Sequence, residues 1–422
     1  MSVGIEAMNV FGGTAFLYVK ELAVHRNLNI QRFENLMMKE KTVALPYEDP
    51  VTFGVNAAKP IIDSLSDEDK NRIELLITCT ESGIDFAKSI STYIHDYLGL
   101  NRNCRLFEIK NACYAGTAGF QMGVNFILSQ TSPGAKALVI TTDISRFMND
   151  EKGFVLSEDR AFAEPSSGAG AVAILISESP YLFEIDEGAN GYYSYEIMDT
   201  YRPVTSDLTE GDADLSLMSY LDCCEQSFKA YCKRVNGVNY QDTFQYLAFH
   251  TPFGGMIKGA HRTMMRKNTN ANPSETEEDF KKRVMPGLIY CQRTGNIMSG
   301  TVFLSLASTI DMGIYDSPKR IGCFSYGSGC CSEFYSGVVQ PEGKKLQNNF
   351  EIEKSLNQRY KLSVDEYETL LTGSRKVKFG TKKLTSDFEL IPGINFSKGG
   401  KKHLFLEEIR DFHRKYRWSD EL

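Results

Sequence analysis

Short apolar runs alternate along this chain with longer stretches whose apolar residues recur every three or four positions. Val3–Val10, Glu74–Cys79 (ELLITC), Ala137–Asp143 (ALVITTD) and the apolar part of SSGAGAVAILI are continuous enough to predict buried strands. Between them the spacing predicts helices over Thr14–Arg26, over Asn29–Lys41 with Phe33, Leu36 and Met37 inward, and from Asp49-Pro50 through VTFGVNAAKPIIDSL. Another helix is expected from Asp85 as N-cap, burying Phe86, Ile90, Tyr93, Ile94 and Tyr97 until Gly99 stops it. In the second half, LSLMSYLDCCEQSFKAYCKR predicts a long helix and YLAFH (Tyr246–His250) a strand closed by Thr251-Pro252. A helix is predicted over Met256–Lys267, then a polar loop over Asn268–Glu278, then NIMSGTVFLSLAS as a turn into a buried helix. IGCFSY reads as a strand ending at Gly327-Ser328-Gly329, with a helix from near Cys331, and LFLEEIRDFHRKYRW as a closing amphipathic helix. Strands alternating with helices imply a layered α/β chain, and similar strand endings in each half permit a duplicated architecture.

The stretch Phe107–Gly119, FEIKNACYAGTAG, concentrates the candidate chemistry. A short apolar strand hands over through a polar turn to a small-residue helix start, with Cys113 at the junction. Free backbone N–H groups and the positive end of the helix dipole there are expected to favour thiolate, the nucleophilic form. Small neighbours allow a thioester to approach the backbone. Most single cysteines are simply small buried hydrophobes, so partners must decide. Two lie at other strand ends: Glu81 after ELLITC and His250 after YLAF. Each alone is more often a solvated carboxylate or a structural histidine. Together with a glycine-rich turn at Ser328 they offer a nucleophile, a proton carrier and donors for a thioester oxygen.

Composition narrows the class. The 422 residues are 42% hydrophobic and 24% charged, ordinary globular values with room for two core-bearing units. Net charge −7 argues against general nucleic-acid binding. Ten cysteines, paired at Cys223-Cys224 and Cys330-Cys331 and without CxxC, fit neither a disulfide framework nor a zinc site, and no metal is expected. No apolar run approaches the ~20 residues a membrane helix needs, and MSVGIEAMNVFGG lacks a signal-peptide pattern, so a cytoplasmic protein is expected.

TESGIDFAKS, KNACYAGTAGF, TTDISRF, PSSGAGAVAILI, FHTPF, NIMSGTVFLSLAS and FSYGSG follow one another in this order. The set resembles the 3-hydroxy-3-methylglutaryl-CoA synthase family of thiolase-fold condensing enzymes. The resemblance implies a five-layered α/β/α/β/α fold of two similar halves, residues 1–180 and 181–422, the latter with a family-specific C-terminal extension, usually as a homodimer. It implies Cys113 as acyl acceptor, Glu81 as general acid/base, His250 beside the acceptor thioester, and the N–H groups of Cys113 and Ser328 as oxyanion hole. Tyr114, Asp143, Asp212, Asn296 and Ser328 fall on other active-site positions of the family. A donor that is acetyl rather than malonyl cannot form its enolate by losing carbon dioxide, so a base such as Glu81 is required.

Two departures sharpen the resemblance. CoA-using members carry a lysine shortly after FHTPF, where this chain has Gly254-Gly255; Phe147 and Thr301 also replace a common tyrosine and serine. GFQMGVNFILSQTSPGAKALVITTDISRF, DLSLMSYLDCCEQSF and CCSEFYSG look like the β-branching enzymes of polyketide assembly lines, such as that of the curacin pathway. Such members take acetyl from a donor acyl carrier protein and add it to a β-ketoacyl chain on an acceptor carrier protein. No permanent cofactor is then expected; phosphopantetheine arrives on the carrier protein, with coenzyme A possible. Lys258, Arg262 and Arg266, spaced i, i+4, i+8, share one helix face and suit an acidic carrier protein or its phosphate. Three rivals stay open: a primary HMG-CoA synthase, a decarboxylating ketosynthase using Cys113, His250 and Asn296, and a non-catalytic partner subunit.

Overall fold

The computed structural model describes residues 2–145, 163–203, 209–374, 380–394 and 402–421. Nine strands form the main sheet: β1 (Gly4–Phe11), β2 (Ile73–Cys79), β3 (Arg105–Ile109), β4 (Lys136–Ile144), β5 (Ala169–Ser177), β6 (Phe183–Ser194), β7 (Tyr246–Phe249), β8 (Lys319–Gly327) and β9 (Cys331–Val339). Their order is β7-β8-β9-β6-β1-β5-β4-β2-β3. In the first half β2, β3 and β4 run parallel while β5 is antiparallel to both β4 and β1. The second half repeats this: β7 and β8 are parallel, and β9 is antiparallel to β8 and β6. The halves join where β1 meets β6 at Gly4–Glu184 and Ile5–Phe183.

The five longest helices among the described residues are α1 (Pro50–Ser64), α2 (Ala115–Leu128), α3 (Ala213–Arg234), α4 (Gly254–Asn268) and α5 (Thr301–Met312). α1 lies on β1, β4 and β5, and α3 on β6 and β9, whereas α2 and α5 touch each other and strands of both halves. One apolar cluster spans Phe120, Val139, Phe303, Ile321 and Tyr335, joining the two central helices to both halves. Separate outer clusters sit beneath α1 (Phe53, Ile61, Leu138, Leu175) and beneath α3 (Tyr220, Phe228, Phe249, Phe334). This is the five-layered arrangement the resemblance implies. α5 is buried from Thr301 through Ile310, whereas α2 buries one face and leaves Met122 and Asn125 exposed. No helix among the described residues is long and apolar enough to cross a membrane.

Several local expectations are corrected. Thr14–Arg26 divides into a strand, Ala15–Tyr18, and a helix, Val19–His25; Asn29–Lys41 yields only Ile30–Glu34 as helix before a strand at Glu40–Thr42. Asp85 caps a turn, accepting from Ala87 and Lys88 N–H, but the helix covers only Ser91–Tyr97, leaving Phe86 72% exposed. Within the polar 268–278 stretch, Asn272 and Glu275 form a capping box that starts a helix at Pro273–Asp279. Cys331 begins β9, not a helix, because Gly327–Gly329 closes a hairpin. The C-terminal stretch is also a hairpin, Leu404–Arg410 paired with His413–Trp418. Its two turn residues, Asp411 and Phe412, both have positive φ, as a right-twisted two-residue hairpin requires.

Candidate active site

The segment carrying Cys113 is a tight elbow between β3 and α2. Ala112 takes a left-handed φ of 44°, and Tyr114 and Ala115 N–H donate back to Asn111 and Ala112 carbonyls at 3.1 and 3.2 Å. Cys113 therefore stands two residues before α2, next to its N-cap Tyr114. Glycine at 116 is a packing requirement, since a Cβ there would lie 2.1 Å from the Ser299 carbonyl oxygen. That contact brings the second-half turn, Met298–Gly300, against the start of α2.

Cys113 Sγ donates to Glu81 Oε1 at 3.7 Å. Glu81 owes its position to Asp143, at the end of β4 and wholly buried. Asp143 Oδ1 accepts from Thr80 Oγ1, Glu81 N, Ser82 N and Ser82 Oγ at 2.8–3.0 Å. Its Oδ2 accepts from Ser299 N and Oγ, so one carboxylate ties the β2 and β4 ends to the second half. The Arg202 guanidinium donates to the Glu81 carbonyl. Burial and the neighbouring Asp143 charge push the Glu81 carboxyl up to about 7, against the opposing pull of Arg202 and the Cys113 hydrogen bond. Burial likewise raises Asp143. Cys113 is raised well above the ordinary thiol range by burial, then by Glu81 and Asp143. This overturns the expectation of a resting thiolate: beside two carboxylates, burial outweighs the helix terminus, and the pair rests as a thiol donating to a carboxylate.

The second half contributes the other wall. Gly327 approaches the elbow so closely that a Cβ would lie 2.6 Å from Tyr114 N, which sets the Ser328 turn beside Cys113. Tyr114 directs its hydroxyl away to Glu333 Oε2 on β9 at 2.7 Å, and Gln121 Nε2 donates to Glu333 Oε1 at 2.8 Å. Tyr114 thus ties the elbow to the second half. Burial holds the Glu333 carboxyl up at about 7.

His250, 1% exposed, continues β7 and donates its backbone N–H to Phe324 on β8 at 2.8 Å. Its carbonyl accepts from Tyr220 Oη at 2.6 Å, while Nδ1 is buried without a protein partner among the described residues. Burial lowers its imidazole to about 3, so it is neutral at physiological pH and offers a hydrogen bond rather than a charge. Asn296 Oδ1 accepts from Met298 N at 3.0 Å and Thr301 Oγ1 at 2.8 Å, which leaves its Nδ2 hydrogens as the end available to an acceptor.

Two expected residues are engaged in local contacts. Asp212 is the exposed N-cap of α3, accepting from Leu215 N at 2.9 Å. Lys258 is spent on Glu277, 2.9 Å away, and on the Phe280 ring, leaving Arg262 and Arg266 exposed on α4 with no ion pair among the described residues. Phe147 lies outside the described residues. Sequence reasoning missed Thr80, Ser82, Ser299 and Glu333, which sit inside its own motifs, and Asp199 and Arg202, which carry no local signal. Among the described residues no group of three or more His, Cys, Asp or Glu side chains could hold a metal ion.

Comparison with known proteins gives concordant matches. Residues 1–180 match the family model "Hydroxymethylglutaryl-coenzyme A synthase N terminal", and residues 183–279 and 267–418 match the corresponding C-terminal one. Polyketide biosynthesis 3-hydroxy-3-methylglutaryl-ACP synthase PksG of Bacillus subtilis is 70% identical over 418 residues, 99% of each chain. Hydroxymethylglutaryl-CoA synthase of Enterococcus faecalis is 32% identical, over 88% of this chain and 91% of that one. The crystal structure of the curacin biosynthetic pathway HMG synthase in complex with acetyl donor-ACP superposes with a TM-score of 0.95 at 62% identity, covering 99% of this chain and 100% of that one.

Proposed function

The chain belongs to the hydroxymethylglutaryl-coenzyme A synthase family, and we propose that it is the polyketide β-branching member, taking acetyl from a donor acyl carrier protein. Two neighbours support this: the 70% identical relative is an HMG-ACP synthase, and the curacin enzyme has been solved with its acetyl donor-ACP. The structure adds a physical reason. Gly255, where CoA-using members place a lysine nearby, has no room for a side chain, because a Cβ would lie 1.9 Å from the Asn35 carbonyl oxygen. A phosphate-binding lysine cannot stand there without moving the backbone.

The observation that carries the mechanism is Glu81 Oε1 at 3.7 Å from the Cys113 sulfur. Cys113 attacks the acetyl thioester as Glu81 takes the thiol proton; the pantetheine sulfur departs and receives a proton. Glu81, ionised again, removes a proton from the methyl of acetyl-Cys113 while the Cys113 and Ser328 N–H groups hold the enolate oxygen. The enolate carbon attacks the β-ketone of the acceptor thioester, polarised by neutral His250 with Asn296 Nδ2 alongside. Glu81 protonates the new alkoxide, and water cleaves the product from Cys113. Arg262 and Arg266 are the remaining candidates for carrier-protein contact.

Intact-protein mass spectrometry tests this sequence of events. Acetyl-carrier protein should add one acetyl group, mapped to Cys113, and a β-ketoacyl-carrier protein should then gain the branch as the enzyme returns to its free mass. Efficient acetylation by acetyl-CoA alone would favour the primary HMG-CoA synthase reading, and malonyl consumption with loss of carbon dioxide would favour the ketosynthase.

A further inference from the structure

Glu81 is gripped through its backbone from two sides. Its N–H donates to Asp143 Oδ1 at 2.9 Å, and its carbonyl accepts from the Arg202 guanidinium. An anion on β4 and a cation from the second half thus hold one residue at the end of β2. Arg202 is exposed, and the segment carrying it is fixed independently of Glu81. Thr200 and Tyr201 pair antiparallel with Gly211 and Glu210, Thr200 Oγ1 meets Ser216 Oγ on α3 at 3.0 Å, and Asp212 N donates to Asp199 O at 2.9 Å. This short ribbon, strapped to the start of α3, carries the guanidinium across to the first half. Three groups bear on the Glu81 carboxyl: Cys113 from the elbow, Asp143 from β4, and Arg202. Glu108 on β3 is turned to the Ile90 N–H at 2.8 Å, and Asp199 to the Ser328 turn. Asp143 opposes a second negative charge, whereas Arg202 and the Cys113 hydrogen bond favour it. Acetylation turns the thiol into a thioester and removes that hydrogen bond. Arg202 then remains to oppose Asp143 at the step where the methyl proton leaves.

We propose that Arg202 is a positioning residue for the carbon base: anchored on the Glu81 carbonyl, it holds a positive charge against the carboxylate after acetylation has taken the Cys113 donor away. The proposal rests on the reading of Glu81 as that base. Arg202→Met removes both donor and charge, Arg202→Gln removes the charge and keeps an N–H, and Arg202→Lys keeps the charge.

The test is the pH profile of deuterium exchange into the methyl group of acetyl-Cys113, read by mass spectrometry on the full-length enzyme and these three variants. In Arg202→Met and Arg202→Gln the acid limb should move to higher pH by roughly half to one unit, less than a close buried pair would give because the arginine is exposed. Exchange should accordingly fall roughly three- to tenfold below the limb and much less above it. Arg202→Lys should move the limb least. A limb that stays in place in folded Arg202→Met and Arg202→Gln, a loss of equal size at every pH, or a displacement as large in Arg202→Lys as in Arg202→Met would overturn the role of Arg202 alone. Exchange without any acid limb in the unaltered enzyme would overturn the reading of Glu81 as carbon base, and the proposal with it.

Discussion

Cys113 Sγ and Glu81 Oε1 lie 3.7 Å apart, the thiol donating to the carboxylate. The two side chains come from the ends of separate parallel strands, and Asp143 on a third strand fixes the backbone of the second. The thiol and the carboxyl are thus one hydrogen-bonded unit, in which the Glu81 carboxyl is raised to about 7 and the Cys113 sulfur is held protonated; in the proposed mechanism they are nucleophile and base.

Replacing Glu81 by Gln keeps an acceptor for the thiol but removes the base. Condensation by the acetylated enzyme should fall by roughly 10³-fold or more, within the range for loss of a general base, while acetyl-Cys113 forms more slowly but still accumulates, because solvent can take the thiol proton. Single-turnover mass spectrometry separates the two steps. Equal loss of both would show that Glu81 serves only to activate sulfur.

The pH dependence follows from the same carboxyl. Its ordinary value is raised to about 7, and the ionised form is the base, so condensation by pre-acetylated enzyme should be lost as pH falls through that value and level off above it. His250, lowered to about 3, should add no limb between pH 5 and 8. A pH–rate profile of the single-turnover step checks both statements.

Asp143→Asn turns a carboxylate that accepts at both oxygens into a group with two donors facing donors. Each N–H or O–H left without an acceptor costs roughly 1–3 kcal/mol, so the melting temperature should fall. Because the Asp143 charge helps raise Glu81, the acid limb of the surviving activity should move to lower pH. A limb unchanged in a folded variant would contradict that electrostatic link.

Gly327→Ala places a Cβ 2.6 Å from Tyr114 N. The Ser328 turn must retreat, and acetylation should slow by about 10²-fold, the cost expected of a 1 Å misplacement. The rate of acetyl transfer is the readout, with far-ultraviolet circular dichroism confirming the fold.

Arg266→Glu should slow acetyl transfer from the acidic carrier protein by roughly tenfold, an effect weakened by salt, while a short acetyl-pantetheine thioester reacts as before. Equal slowing of both donors would remove Arg266 from docking.

The strand-to-helix junction at Cys113 was legible because an apolar run, a polar turn and small residues follow one another locally. Glu81 and His250 were legible for the same reason, each closing an apolar strand. Asp199 was not, since it meets the Ser328 turn only through a pairing with a distant segment, and Glu333, although inside CCSEFYSG, shows its role only through its distant partners Tyr114 and Gln121. LFLEEIRDFHRKYRW satisfies both helical and strand periods, and the left-handed pair Asp411-Phe412 decided between them. Lys258 looked free because its partner, Glu277, belongs to a stretch that read as loop. The Cys113 charge state was misjudged because a helix terminus, worth about 0.3–1 kcal/mol, is weaker than burial beside two carboxylates.

The most direct test of the account is deuterium exchange into the methyl group of acetyl-Cys113, followed by mass spectrometry with no acceptor present. The enzyme should exchange methyl hydrogen with deuterated solvent, and Glu81→Gln should fail to do so while carrying the same acetyl group. Exchange at an undiminished rate in Glu81→Gln would place the carbon base elsewhere and contradict the account.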